Sequence, residues 1–423
     1  MRLIAWYGDD FTGSTDVLDA LAPHMRVVLF LRRPEAEFLE RFRDYEAIGL
    51  AGVSRSQTPE WMDAHLTPDL EWLATLKSLV CHYKVCSTFD SAPHVGSIGR
   101  AMEIGKKVFD VWFVPLIVGA PPLGRYTFFG HLFARGGSAV YRIDRHPTMA
   151  HHPVTPMGEA DLRTHLAAQT TMRVGLMDGV RMKTTGDPEA AYRDAADGFD
   201  AVLIDVFDAQ TQQEAGSLVW GTHRQPFVVG SSGVEYALIE HWTSTDALPG
   251  TGGSEPAPPV DRIAVASGSC SPVTEGQIRH AESAGFVLAK LDPAGWSMDD
   301  AVLAGVEALK QGRSIVFYSA GPGAERVDGI DRQDLAVRTG RLLRRVLDET
   351  GVKRAVVAGG DTSSHAGAQL GIDAVTFLAP VAPGAPLCKA WGAAGGVDLE
   401  IVFKGGQIGG PDFFAAVRNG GKL

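Results

Sequence analysis

Cysteine is scarce in this chain. Only Cys81, Cys86, Cys270 and Cys388 occur in 423 residues, with no CxxC pair, so a disulfide framework is excluded and reduced thiols are expected. Positive charge is also short, the formal net charge being -11. A non-specific nucleic-acid binder is thereby excluded, and any anionic substrate needs a local basic pocket against the global field. No apolar run has the length to span a bilayer, and no basic segment followed by an apolar stretch opens the chain. A soluble cytoplasmic protein with no membrane partner is the expectation. Two phosphate fingerprints are missing as well: there is no GxxxxGK[ST], and no GxGxxG follows a first strand.

What is present is an ordinary globular composition, 45% hydrophobic and 21% charged, in a chain long enough for two or three cores. Its organising stretch is Gly8-Asp9-Asp10-Phe11-Thr12-Gly13-Ser14-Thr15-Asp16, between the apolar run Leu3 to Tyr7 and a helical pattern through Leu21. That is a strand, a tight turn and a helix, with the polar residues at the carboxyl end of the strand, where open α/β sheets hold ligands. Adjacent carboxylates there suit cation binding, a grip on substrate hydroxyls or proton transfer. The spacing fits equally well one aspartate capping the helix and the other solvated.

Further strand-like runs, at Val27 to Leu31, Ala47 to Val53, Leu79 to Val85 and Val111 to Val118, are separated by helix-length segments and end in polar or Gly/Pro chemistry. The pattern predicts a mainly parallel sheet with helices on both faces. Residues 141–157 form a His/Pro-rich insertion without helical period. His151 and His152 are adjacent and lack HExxH spacing, so the insertion is read as a loop packing on the substrate or on a neighbouring domain, in preference to a zinc site. Asp208 and Thr211 are placed to cap a helix. The Pro/Gly/Ser run over 248–259 reads as a linker, dividing a domain over 1–247 from a second α/β domain over 260–423.

The second domain repeats glycine-rich turns after its strands. The Ser267 turn, Gly359-Gly360-Asp361-Thr362 and Gly405-Gly406 are candidates for backbone contact with a nucleotide's phosphates. The first domain gathers Asp9, Asp10, Arg55, Lys84, Ser87, Asp90 and Arg125 at strand ends, a kit for a polyhydroxy acid. Together the two imply phosphoryl transfer from ATP, with Mg²⁺ on the phosphates and a group to take the acceptor proton, in an interdomain cleft.

These motifs resemble the four-carbon acid sugar kinase family over nearly the whole chain. Asp9-Asp10-Phe11-Thr12-Gly13 resembles its sugar-domain motif, and Gly359-Gly360-Asp361-Thr362 its nucleotide-domain motif. Lys84 to Ser91, followed by Gly96-Ser97-Ile98-Gly99, is similar to the branch acting on 3-oxo acids; threonate and erythronate kinases usually carry Asp-Ser-Thr-Leu-Arg-Gly there. The resemblance implies that Asp9, Asp10, Arg55 and Lys84, Val85, Cys86 and Ser87 contact the acid, and that Ser267, Gly359 to Thr362, Gly405 and Gly406 contact ATP.

Asp10 is the first choice of general base, with Asp9 and Asp361 as alternatives; no metal ligand is assigned. Gly8, Ser97 and Ile408 depart from the family pattern, where Ala, Asn and Phe usually stand. These departures and the 142–157 insertion bear on the substrate, either 3-oxo-tetronate or a branched acid such as 3-oxo-isoapionate. A threonate or erythronate kinase is the alternative. A dehydrogenase is disfavoured by the missing GxGxxG, and a sugar-acid binding protein by the phosphate-type turns. A homo-oligomer is compatible with all of these.

Overall fold

The first apolar run becomes the strand Ile4–Gly8, buried at all five positions, as a strand covered on both faces must be. A computed structural model describes residues 2–221, 226–292, 295–319 and 332–421, with the backbone alone at Arg332, Asp361, Ser364 and His365. The chain divides into two compact units: Met1–Leu21 with Asp44–Gly250, and Ala22–Arg43 with Thr251–Leu423.

In the first unit the strands run parallel in the order Ala47–Ala51, Ile4–Gly8, Val80–Lys84, Phe227–Gly230, Val114–Ile117, Ala201–Ile204, Val174–Met177. Ile4–Gly8 and Val80–Lys84 are neighbours, and the chain leaves them toward opposite edges of the sheet. A crevice therefore opens above their carboxyl ends, between the Asp9 turn and the turn after Lys84. His82, which interrupts the apolar run in the sequence, is fully buried and satisfied by Glu235 (2.6 Å) and the Gly230 carbonyl (3.1 Å). Asp208 and Thr211 form the expected cap on helix Ala209–Trp220, each accepting the other's backbone N–H.

A small antiparallel sheet, Arg125–Phe128, His131–Gly136 and Ala139–Arg142, has no counterpart in the sequence reading. Its strands are short and its first turn is held from outside: Asp205 accepts the N–H groups of Phe129 (2.6 Å) and Gly130 (3.0 Å).

The second unit has parallel strands in the order Val287–Lys290, Ile315–Tyr318, Ala264–Ser267, Arg354–Ala358, Glu400–Lys404. Antiparallel Ala385–Trp391, Ala374–Ala382 and Val27–Phe30 complete it. Val265, Val316, Val356 and Val402 pack with Ile278, Phe413 and Phe414 on one face. Ala264–Ser267 and Arg354–Ala358 exit toward opposite edges, giving this unit its own crevice beside Gly268 and Gly359.

Two sequence expectations need correction. A first domain running unbroken over 1–247 is not found, because Val27–Phe30 pairs with Ala374–Ala382 and carries Ala22–Arg43 into the second unit. A free linker over 248–259 is not found either. From Thr251 onward the run belongs to the second unit: the N–H of Ala257 donates to Gly420 (2.8 Å) and the Arg354 guanidinium to the Pro258 carbonyl (2.9 Å). An apolar strand and a proline-rich extended segment both find backbone partners there that composition does not reveal.

Candidate active site

Asp9 and Asp10 part company at the end of Ile4–Gly8. Asp10 starts helix Phe11–Leu21: its Oδ1 accepts the Gly13 N–H at 2.5 Å and its carbonyl the Ser14 N–H at 3.1 Å. Its Oδ2 accepts from Arg55 at 2.7 Å. Asp9 points inward, 5% exposed, and its Oδ1 has no hydrogen-bond partner among the described residues. The backbone around it is tied down, with its N–H donating to the Lys84 carbonyl (2.9 Å) and its carbonyl accepting the Arg55 N–H (3.0 Å).

Arg55 is the hub. One terminal nitrogen donates to Asp10 and the other to both oxygens of Asp90, at 3.0 and 2.9 Å. Asp90 also accepts from the hydroxyls of Thr88 (2.5 Å) and Thr155 (2.8 Å). Lys84, 2% exposed, donates to the Val85 carbonyl at 2.9 Å and lies 3.7 Å from Asp16, whose carboxylate also takes the Ser232 hydroxyl. Cys86 and Ser87 lie half-buried in the turn that follows, and Cys86 Sγ accepts from the Thr88 hydroxyl. Phe89, at φ 56°, closes that turn in a left-handed conformation costly for an aromatic residue.

The electrostatics separate these carboxylates. Burial first, then the Asp10 charge, pushes Asp9 up to about 8 against the pull of Arg55 and Lys84. Burial also pushes Asp90 upward, but Arg55 and the two threonine hydroxyls outweigh it and hold the group below the usual carboxylate range. Cys86 first, then Asp90, Asp10 and Asp9, outweigh burial and keep Arg55 firmly protonated. Burial works against Lys84, and Asp16, Cys86, Asp9 and Asp10 overcome it. Arg125 is lowered by burial, opposed chiefly by Cys86 and then by Tyr126. Its guanidinium meets only the carbonyls of Leu123, Gly124 and Arg135; among the described residues it faces no carboxylate.

Thr155 and His152 are site neighbours that the sequence did not single out individually. The 146–157 loop packs onto Asp90, with Thr155 bonded to it and His152 Nδ1 4.0 Å away, and His152 accepts the Thr155 N–H at 3.0 Å. The Pro-flanked His152–Thr155 stretch carried a signal for a packed loop, not for its target. Among the described residues no group of three or more His, Cys, Asp or Glu is placed to hold a metal.

In the second unit the glycine turns after Ala264–Ser267, Arg354–Ala358 and Glu400–Lys404 converge, since those strands are consecutive in the sheet. Gly359 has φ 122°, a conformation other residues rarely adopt, and opens helix Gly360–Gln369. A Cβ on Gly268 would stand 2.2 Å from the Thr362 hydroxyl, and one on Gly406 2.6 Å from Ser269 Oγ. Ser267 Oγ is fully buried, with no partner among the described residues. Gly405 accepts the Ile408 N–H through its carbonyl. The Asp361 side chain lies outside the described residues.

Fold and sites thus define an α/β protein of two units, one with an acid, base and cation cluster at its switch point, the other with converging glycine turns. A sugar-binding N-terminal domain model matches residues 4–238 and a nucleotide-binding C-terminal domain model matches residues 264–414. A 3-oxo-isoapionate kinase of Paraburkholderia graminis is 45% identical, covering 99% of this chain and 94% of that protein. A 3-oxo-tetronate kinase of Cupriavidus necator is 31% identical over 97% of this chain and 95% of its own. The crystal structure of a Haemophilus influenzae protein has the same fold, with a TM-score of 0.78 at 23% identity, covering 99% of this chain and 100% of that one. The chain belongs to the four-carbon acid sugar kinase family. It is a phosphotransferase with an alcohol group as acceptor.

Proposed function

We propose that the chain transfers the γ-phosphoryl group of ATP to a hydroxyl of a small 3-oxo sugar acid, and that the acid is of the branched 3-oxo-isoapionate type. The observation that carries the reading is the Asp9, Asp10, Arg55, Asp90 cluster at the first switch point, combined with the 45% identity to the Paraburkholderia graminis kinase. The 3-oxo-tetronate kinase of Cupriavidus necator is the more distant relative, at 31%.

In this reading Arg125, a cation without an acidic partner among the described residues, pairs with the substrate carboxylate, and Lys84 and Ser87 bond its oxygens. Arg55 is already shared between Asp10 and Asp90, so its task is to hold Asp10 still. Asp9 takes the proton of the acceptor hydroxyl. Both oxygens of Asp10 are engaged, whereas Asp9 Oδ1 has no partner among the described residues and burial pushes the group up to about 8, in the range that suits a general base. The acceptor oxygen then bonds to the γ-phosphorus as the bond to ADP breaks. Ser267, Gly359 to Thr362, Gly405 and Gly406 hold the nucleotide, and Mg²⁺ brought in with it would neutralise the charge that develops on the phosphates.

The test is an ADP-release assay with MgATP and four acceptors: 3-oxo-isoapionate, 3-oxo-tetronate, threonate and erythronate. The branched acid is expected to exceed the others by about ten-fold or more in kcat/KM. A preference for threonate or erythronate would transfer the chain to the alternative branch, and no ADP with any acid would end the kinase reading.

A further inference from the structure

The loop after Glu400–Lys404 is held in an unusual way. Helix Pro272–Ser283 reaches it with two side chains three residues apart, hence on one helix face. The Thr274 hydroxyl donates to the Gly406 carbonyl at 2.8 Å. The Gln277 amide nitrogen meets the carbonyls of Ile408, Gly409 and Gly410 at 2.9, 3.1 and 3.0 Å. Three acceptors around that nitrogen fix which way the amide faces, since its oxygen there would repel all of them.

Across a trans peptide the carbonyl and the following N–H point in opposite directions. Turning the carbonyls of Gly406, Ile408 and Gly409 toward the helix therefore turns the N–H groups of Gln407, Gly409 and Gly410 away from it. Those three N–H groups have no acceptor among the described residues. After Gly410 comes Pro411, which has no N–H to offer. Outward amides clustered in one short turn, here two of them successive at Gly409 and Gly410, make a concavity for an anion.

Two buried side chains point to the same ligand chemistry. Lys404, 1% exposed, donates to the Thr274 hydroxyl at 3.0 Å and faces no carboxylate among the described residues; its other neighbour is the Phe413 ring. Ser267 Oγ, fully buried and without a partner among the described residues, lies on the same sheet face. Ser267 pairs in register with Ala358 and Ala358 with Lys404, so the three form one row at the carboxyl edge. Among the described residues, then, a cation without a counter-charge and a hydroxyl without a partner flank a small alanine beside three idle amides.

We propose that Thr274, Gln277 and Lys404 are positioning residues that shape the 405–410 loop into the seat for the nucleotide's terminal phosphates, with Lys404 as the countercharge beneath it. This rests on the kinase reading above and adds residues outside its glycine motifs. Thr274 and Gln277 act through the loop and Lys404 through its charge, none of them by touching the reacting atoms.

Calorimetry with ADP and with adenosine separates this from a merely structural role. Thr274→Val is expected to weaken ADP binding about ten-fold or more, with adenosine affinity and the KM for the sugar acid unchanged. Thr274→Ser, which keeps the hydroxyl, should return ADP affinity to within about three-fold of the parent. Gln277→Glu, which sets a carboxylate against three carbonyls, should weaken ADP further; if it fails to fold, the Thr274 pair still decides. A parent protein that binds ADP tightly, with Thr274→Val binding it equally well or losing adenosine and ADP in equal measure, overturns this proposal alone. A parent protein that binds no ADP overturns the kinase reading and this one with it.

Discussion

Arg55 and Asp90 meet side-on, a single guanidinium nitrogen bridging both carboxylate oxygens while the other terminal nitrogen reaches Asp10. Such a two-way grip needs a planar, multiply donating cation. Lysine offers one point charge and cannot span both acids. Arg55→Lys should therefore lower kcat/KM for the sugar acid by about a hundred-fold while leaving ADP affinity intact; steady-state kinetics beside calorimetry checks both halves. An undisturbed kcat/KM would remove Arg55 from the site's framework.

The raised Asp9 predicts opposite pH trends in rate and stability. If its carboxylate accepts the proton, kcat/KM should climb with pH and level off above about 8. Asp9 ionises near 3.8 when free and near 8 when folded. The folded chain therefore keeps a proton that the unfolded chain releases, and the stability this contributes is full below the lower value and drains away as pH rises to the higher. Asp9→Asn should match the parent in denaturant midpoint at acid pH, exceed it increasingly up to about pH 8, and lose most activity. A rate profile flat from about pH 6 to 9 would contradict this assignment.

Asp10→Asn distinguishes the two aspartates. With Asp10 capping the helix and anchoring Arg55, the amide variant should raise the acid's KM more than it lowers kcat. A loss confined to kcat, of about two orders of magnitude, would instead make Asp10 the base.

Thr155 tests the 146–157 loop. Removing its hydroxyl with Thr155→Val takes one of the donors from buried Asp90, at a cost of about 1 kcal/mol in unfolding free energy. The KM for the acid should rise with ADP affinity unaffected. An unaltered KM would make the loop a bystander.

Much of this was legible in the residues. Short apolar runs ending in polar turns marked the parallel strands, and Asp208-x-x-Thr211 announced its cap, because both signals are local. The antiparallel pairing of Val27–Phe30 with Ala374–Ala382 was not legible, since nothing in either run names a partner so distant along the chain. The sheet over Arg125–Arg142 was hidden for a related reason: its anchor, Asp205, sits elsewhere in sequence. At the site, the residue types were readable and their division of labour was not. Adjacent Asp9 and Asp10 look interchangeable until burial and Arg55 set them apart.

The detour of Ala22–Arg43 governs how the molecule can be made. Translation delivers Val27–Phe30 early and Ala374–Ala382 late, so the edge that the later strand will cover stays open while most of the polypeptide emerges from the ribosome. Nascent or truncated forms ending near residue 250 carry that edge uncovered, an invitation to self-association, and neither unit can be excised as a contiguous stretch without robbing the other of a strand or inheriting one it cannot use.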